Sequence, residues 1–304
     1  MILNTHGASA PLFIFKAMSQ PIWQTSRFKI DLSQPKVMAI VNLTPDSFSD
    51  GGRHSALSLV LENAQTLLAQ GADILDIGGE SSRPGAAPVS LEEELSRVLP
   101  FLREAVTWHV PISIDTYKSE VMQAALDLGV DIVNDIWALR QAGSRQVVAQ
   151  HGQCGVCLMH MHRDPQTMQA QTMTGNVVQS VKEFLNAQLA RALECGVQKE
   201  RIVLDTGIGF GKTTAQNLAM LQYQASFLSL GQPLLAGWSR KSSLGKILAD
   251  NGVEPVPSDR LGASLSAALM AVQNGAAIVR VHDVKETVQA LKFWQAVQAN
   301  VSDS

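Results

Sequence analysis

Short apolar runs alternate with longer amphipathic stretches along this chain. Eight runs rich in Val, Ile and Leu stand out, at 37–41, 73–77, 111–114, 131–133, 155–159, 201–204, 233–236 and 277–281. Near-continuous apolar content, without polar alternation, marks parallel strands buried on both faces. The intervening stretches follow a helical period. Between 56 and 70 the apolar positions are Leu57, Val60, Leu61, Ala64, Leu67 and Leu68, and Gly71 supplies a stop. Ser90-Leu91-Glu92-Glu93 has the form of a capping box ahead of the apolar face Leu95, Val98, Leu99 and Leu102. Further helices are predicted at 119–128, 176–194, 264–274 and 284–299. Eight strand–helix units predict an α/β fold of the (β/α)8 TIM-barrel type. A doubly wound open sheet is the alternative that strand counting leaves standing.

No linker or composition break divides the chain, so residues 36–300 read as one barrel domain. Residues 1–35 read as an N-terminal extension, with 1–17 poorly ordered. The patch Leu12-Phe13-Ile14-Phe15 is too short for a signal peptide and its cation, Lys16, follows it, which points to a cytoplasmic protein. Of the 304 residues, 46% are hydrophobic and 17% charged, a balance that excludes a disordered chain. Lys plus Arg is 24 against 27 for Asp plus Glu, a net charge of −3, so there is no basic excess for nucleic acid. No apolar run is long enough for a membrane span. Three cysteines cannot form a disulfide framework, and Cys154 and Cys157 lie on a predicted strand, where residues three apart face opposite ways.

Polar residues gather where the strands end. The runs lead in turn to Asn42, to Gly78-Gly79-Glu80-Ser81-Ser82-Arg83, and to Asp115, Asn134-Asp135, His160, Asp205, Ser239-Arg240-Lys241 and Arg280-Val281-His282-Asp283. The C-terminal face of a barrel is where substrates bind. Asp115 and Asp135 can each be read as ordinary helix caps, His282 as a capping-turn histidine and Arg83 as a solvated loop charge, but polar residues at every strand end exceed what capping requires. Arg280, His282 and Arg83 suit a phosphate or pyrophosphate. Asp115, Asn134 and Asp205 suit the hydrogen-bonding edge of a guanidine-like heterocycle, and Lys241 a carbonyl or ring nitrogen.

Other motifs carry less. Gly207-Ile208-Gly209-Phe210-Gly211-Lys212-Thr213 resembles a P-loop but has Thr206 where the first glycine belongs, and it does not match the dinucleotide pattern GxGxxG. His160 and His162 lack a third ligand at zinc spacing.

The motifs from Asn42-Leu43-Thr44-Pro45-Asp46-Ser47-Phe48 and Asp76-Ile77-Gly78-Gly79-Glu80-Ser81-Ser82-Arg83-Pro84-Gly85 through Asp115-Thr116, Asn134-Asp135-Ile136, Leu158-Met159-His160-Met161, Asp205, Ser239-Arg240-Lys241-Ser242 and Arg280-Val281-His282-Asp283 resemble, in order, those of the dihydropteroate synthase family. The resemblance spans about residues 36–298. It implies a folate-biosynthesis enzyme, a homodimer, that joins a dihydropterin pyrophosphate to 4-aminobenzoate with Mg²⁺ and is inhibited by sulfonamides. It implies that Asn42 contacts metal and pyrophosphate, and that Asp115, Asn134, Asp205 and Lys241 hold the pterin. Arg280, His282 and Ser82 would hold the pyrophosphate, and Phe48, Pro84, Lys241 and Ser242 would shape the aminobenzoate pocket. Asp115, Lys241, Arg280 and His282 form the implied catalytic set. Ser82 stands for the family's threonine, Thr206 for its proline, and Trp137 and Trp238 for smaller or polar residues, with Trp238 expected to bear on the pocket. A non-catalytic pterin binder and a corrinoid-dependent methyltransferase are the competing readings on fold-level analogy.

Overall fold

The computed structural model describes residues 21–43, 53–81, 83 and 85–302. A short hairpin comes first, β1 (Ile22–Gln24) antiparallel to β2 (Lys29–Asp31). Eight parallel strands follow: β3 (Lys36–Asn42), β4 (Ile74–Gly78), β5 (Ile112–Asp115), β6 (Ile132–Asp135), β7 (Gly155–Met159), β8 (Ile202–Asp205), β9 (Leu234–Ala236) and β10 (Ala276–Val281). They close into a barrel in chain order, with β10 pairing β3, which excludes the open sheet. Between and after them lie α1 (Arg53–Ala69), α2 (Leu91–Ala105), α3 (Ser119–Asp127), α4 (Ser144–His151), α5 (Val177–Glu194), α6 (Thr214–Gln222), α7 (Ser242–Leu248), α8 (Leu261–Gln273) and α9 (Val284–Ser302). Among the described residues no helix is long and apolar enough to cross a membrane.

Alternation along each strand sorts side chains into two cores. Outward residues such as Val37, Ala39, Leu75, Ile77, Ile112 and Ile114 pack under the helices. Inward residues near the strand starts, Met38, Ile74, Ile132, Cys157, Val203, Leu235 and Ile278, fill the lower barrel. The hairpin closes that end. Trp23, Ile30 and Leu32 pack on the inward cluster, and Trp23 Nε1 donates to the Arg201 carbonyl at 2.9 Å. Arg27 pairs with buried Asp131 at 2.6 Å and pins the hairpin to the start of β6. Cys154 lies in the outer core and Cys157 in the inner one; both are free thiols, as is exposed Cys195.

The helix ends depart from expectation in detail. Ser90 caps α2 by accepting from Glu93 N, but Glu93 pairs with Arg97 one turn on, and its return bond to Ser90 is not formed. A reciprocal capping box occurs instead at α6, between Thr213 and Gln216.

Candidate active site

With the lower barrel filled by apolar groups, polar inward residues collect at the strand ends. Asp76, Asp115, Asn134, Asp205 and Arg280 all occupy inward positions close to the C-terminal face. A cavity of about 1060 Å³ opens there, lined by Asn42, Arg83, Asp115, Asn134, Asp205, Lys241, Ser242, Arg280 and His282 together with Ile40, Ile136, Met159 and Phe210. The structure thus gathers nine of the site residues expected from sequence into one cavity. Phe48, Ser82 and Pro84 lie outside the described residues, as do residues 1–17.

Arg280 organises the floor. Its Nε donates to Asp76 Oδ2 and its Nη2 to Asp115 Oδ2, each at 2.6 Å. Asn134 Nδ2 donates to the same Asp76 oxygen at 3.0 Å. The other Asp76 oxygen is buried and has no hydrogen-bond partner among the described residues. A buried acceptor without a donor is costly. Burial works against the charge on Arg280, but Asp76 and Asp115 outweigh it and raise its pKa above the ordinary range. Burial raises Asp115 to about 7, with Arg280 opposing the shift and Asp76 adding to it. Asp205 is also raised by burial, moderated by the Gly207 N–H that donates to its Oδ1 at 2.7 Å and by Lys241.

Both basic groups above this floor have lowered pKa values, but only His282 loses its charge at pH 7. Burial and then Arg280 lower Lys241 to about 8, and its ammonium stands 4.5 Å over the Phe210 ring. Burial, Arg240 and Arg280 lower His282 to about 3, and its Nδ1 meets Ser239 Oγ at 3.0 Å. His282 is therefore a neutral donor or acceptor at pH 7, not a cation. Lys212, at the end of the P-loop-like run, is turned inward onto His160 Nδ1 at 2.9 Å and the Gly207 carbonyl at 2.7 Å, so it supports the turn and cradles no phosphate. Gly207 is required there. Its φ is +66°, and a Cβ would fall 1.8 Å from the His160 carbonyl oxygen.

Two strand-end aspartates separate cleanly. Asp115 faces the cavity, whereas Asp135, next to inward Asn134, faces away and caps its turn by accepting from Trp137 N and Leu139 N. Trp238 lies in the outer core, 2% exposed, and does not line the cavity; the expectation that it reshapes the pocket is corrected by the alternation that turns Gly237 inward and Trp238 outward. Asp76, Met159 and Phe210 were not singled out from sequence. A carboxylate inside the apolar run Ile74-Leu75-Asp76-Ile77 was the available signal for the first.

A closed barrel with a heterocycle-sized, acid-and-amide floor beneath basic side chains defines a class. The family model described as pterin binding enzyme matches residues 38–282. The dihydropteroate synthase of Neisseria meningitidis serogroup B is 46% identical over 289 residues, covering 93% of this chain and 100% of that protein. Among solved structures, Xanthomonas albilineans dihydropteroate synthase with 4-aminobenzoic acid superposes with a TM-score of 0.85 at 43% identity, covering 92% of this chain and 99% of that one. Yersinia pestis dihydropteroate synthase in a sulfonamide drug complex gives 0.84 at 39% identity, over 91% and 99%. The chain belongs to the dihydropteroate synthase family.

Proposed function

We propose that the chain condenses 7,8-dihydropterin-6-ylmethyl pyrophosphate with 4-aminobenzoate, giving 7,8-dihydropteroate and pyrophosphate in folate biosynthesis. The observation that carries this reading is the convergence of Asp115, Asn134, Asp205, Lys241 and Arg280 on one cavity, with Arg280 held between Asp115 and the buried Asp76. Asn134 and Asp205 offer acceptors and a donor for the amino-pyrimidinone edge of the pterin, and Lys241 a donor for its ring. Arg280, His282, Arg83 and Ser82 take the pyrophosphate. Phe48, Pro84, Lys241 and Ser242 take the 4-aminobenzoate or a sulfonamide in its place.

In the reaction the carbon–oxygen bond to pyrophosphate breaks, a carbon–nitrogen bond to the arylamine forms, and the amine proton is released. Charge on the leaving group meets Arg280 and the His282 N–H. Positive charge developing on the pterin methylene is stabilised by the Asp115 carboxylate, which Arg280 helps to keep ionised against burial. An arylamine attacks without prior deprotonation, so no strong base is required.

The Asn42 amide oxygen, at the end of β3 and on the cavity wall, is a hard donor of the kind Mg²⁺ accepts alongside substrate phosphates. A single amide oxygen fits an ion shared with the pyrophosphate. Bound there, Mg²⁺ would neutralise leaving-group charge. Residues 36–300 act as one pterin-binding domain in this reading. The free thiols suit the cytoplasm, and exposed Leu218, Ile247 and Met270 on α6, α7 and α8, with Tyr223 just after α6, suit a homodimer.

Pyrophosphate release from the pterin substrate, assayed with and without 4-aminobenzoate, tests the function. Release that depends on 4-aminobenzoate is expected. A protein that binds pterin without release would be a binder, and release without 4-aminobenzoate would remove the condensation.

A further inference from the structure

The loop that delivers Lys241 and Ser242 to the cavity contains a residue in a conformation its type disfavours. Arg240 has φ +59°, in the left-handed region where a Cβ is crowded. Such a backbone persists only where its surroundings hold it, and here the N–H, the carbonyl and two guanidinium nitrogens of Arg240 are held. Its N–H donates to Ser264 Oγ at 3.0 Å. Its carbonyl accepts from Arg260 Nη1 at 3.2 Å. Its guanidinium donates to both oxygens of Asp283, through Nε at 3.1 Å and Nη2 at 2.5 Å.

Arg260 is the second half of the arrangement, and like Arg240 it borders the cavity itself. It is 8% exposed and spends its donors on backbone carbonyls: Pro255 through Nε and Nη2, and Arg240 and Lys241 through Nη1. Its nearest carboxylate, Glu254, is 3.6 Å away. The guanidinium lies so close to α7 that a Cβ on Gly245 would fall 2.6 Å from its Cζ. Ser264 closes the ring by donating to the Arg260 carbonyl at 2.8 Å. Asp283 directly follows His282, so the Arg240 ion pair also fixes the β9 loop against the β10 end.

We infer that Arg240 and Arg260 are positioning residues for the second substrate: together they hold the β9–α7 loop in its left-handed turn, so that Lys241 and Ser242 face the cavity at a fixed offset from His282. The inference rests on the reading that Lys241 and Ser242 contact 4-aminobenzoate. The pterin half of the site is attached to this latch only through Lys241, its other groups, Asp115, Asn134 and Asp205, standing on other strands. The two halves of the site should therefore respond differently when it is loosened.

The test is steady-state kinetics with calorimetry. Arg260→Met should raise KM for 4-aminobenzoate by about tenfold or more, the scale of a small misplacement of binding groups. The Kd for the pterin alcohol lacking pyrophosphate should rise by a clearly smaller factor, because Lys241 is the one pterin contact this loop carries while Asn134 and Asp205 stand on other strands. Arg260→Lys should recover part of the loss. Arg240→Gly takes the left-handed backbone without strain, so it should fold and yet raise the same KM; it carries the test if Arg260→Met folds poorly. The double variant should lose less than the product of the single losses, since both act through one loop. Unchanged KM in folded Arg240→Gly and Arg260→Lys, equal losses for both ligands, or fully multiplicative losses would each overturn the latch. Lys241→Met and Ser242→Ala separate the two levels. If these raise KM while the latch variants do not, only the latch is wrong. If neither raises it, the assignment of the pocket fails and the latch falls with it.

Discussion

Arg280 neutralises two carboxylates at once, and this changes what its removal should do. Without it, Asp76 and Asp115 face each other across the floor with no cation between them. Burial already raises Asp115 to about 7 and Arg280 pulls it back down. Arg280→Gln should therefore move the Asp115 pKa further up. In the proposed mechanism the rate needs Asp115 ionised, so kcat/KM should fall as the pH drops through about 7, and in the variant that acid limb should shift to higher pH. An unmoved limb would remove Asp115 from the role given to it. Asp205 differs because its Oδ1 already serves Gly207 N, leaving Oδ2 for ligand. In Asp205→Asn the amide oxygen keeps the turn but the second acceptor and the charge are lost. Pterin affinity by calorimetry should weaken by about 1.5–3 kcal/mol, the worth of a hydrogen bond to a charged group. Native-like pterin affinity would show that the pterin edge lies elsewhere.

Among the elements, the β1–β2 hairpin does the work of a floor. Trp23 is fully buried against residues from several barrel strands and hydrogen-bonds to the Arg201 carbonyl. Trp23→Ala should cost about 3–5 kcal/mol in chemical denaturation, as large aromatic truncations do. Substrate affinities should hold, because the cavity is at the opposite end; a matching loss of pterin binding would mean the floor shapes the site. This hairpin was invisible in the sequence. Its strands are three residues each, too short for a period to show. Helices α4, α6 and α7 were missed for related reasons, being seven to nine residues long and flanked by Gly143 and Gly152, by the glycine run before Thr213, or by the Asn251–Gly252 turn. The eight barrel strands were legible because burial on both faces leaves unbroken Val, Ile and Leu. The site was legible where a polar group interrupts that pattern at a strand end, as at Asn42, Asp115 and Arg280. Asp76 sits inside its run, and Phe210 is an apolar residue in a glycine turn, so neither announced itself. Which of Asp115 and Asp135 faces ligand was decided by register: Asn134 takes the inward position on β6 and sends Asp135 outward.

Seen as a whole, the molecule carries a net charge of −3, so no global field draws its anionic ligands in; a local arrangement must. That arrangement has depth. The acceptors Asn134 and Asp205 are buried at the bottom of the cavity, Lys241 is half-buried above them, and Ser242 and Arg83 are exposed at the mouth. A ligand held at the mouth would obstruct the path to the floor, whereas one on the floor leaves the mouth open. The pterin substrate should therefore bind first and 4-aminobenzoate second. A sulfonamide occupying the mouth should then compete with 4-aminobenzoate, and it should bind more tightly once pterin and pyrophosphate are in place, a positive coupling between neighbouring sites. Measured against the pterin pyrophosphate, its inhibition should be uncompetitive, lowering the apparent kcat and KM together, because the drug acts on a complex that the first substrate must form. Inhibition competitive with the pterin pyrophosphate, or drug affinity by calorimetry that is the same with and without pterin and pyrophosphate, would show that the two halves of the cavity fill independently and that its depth does not set the order.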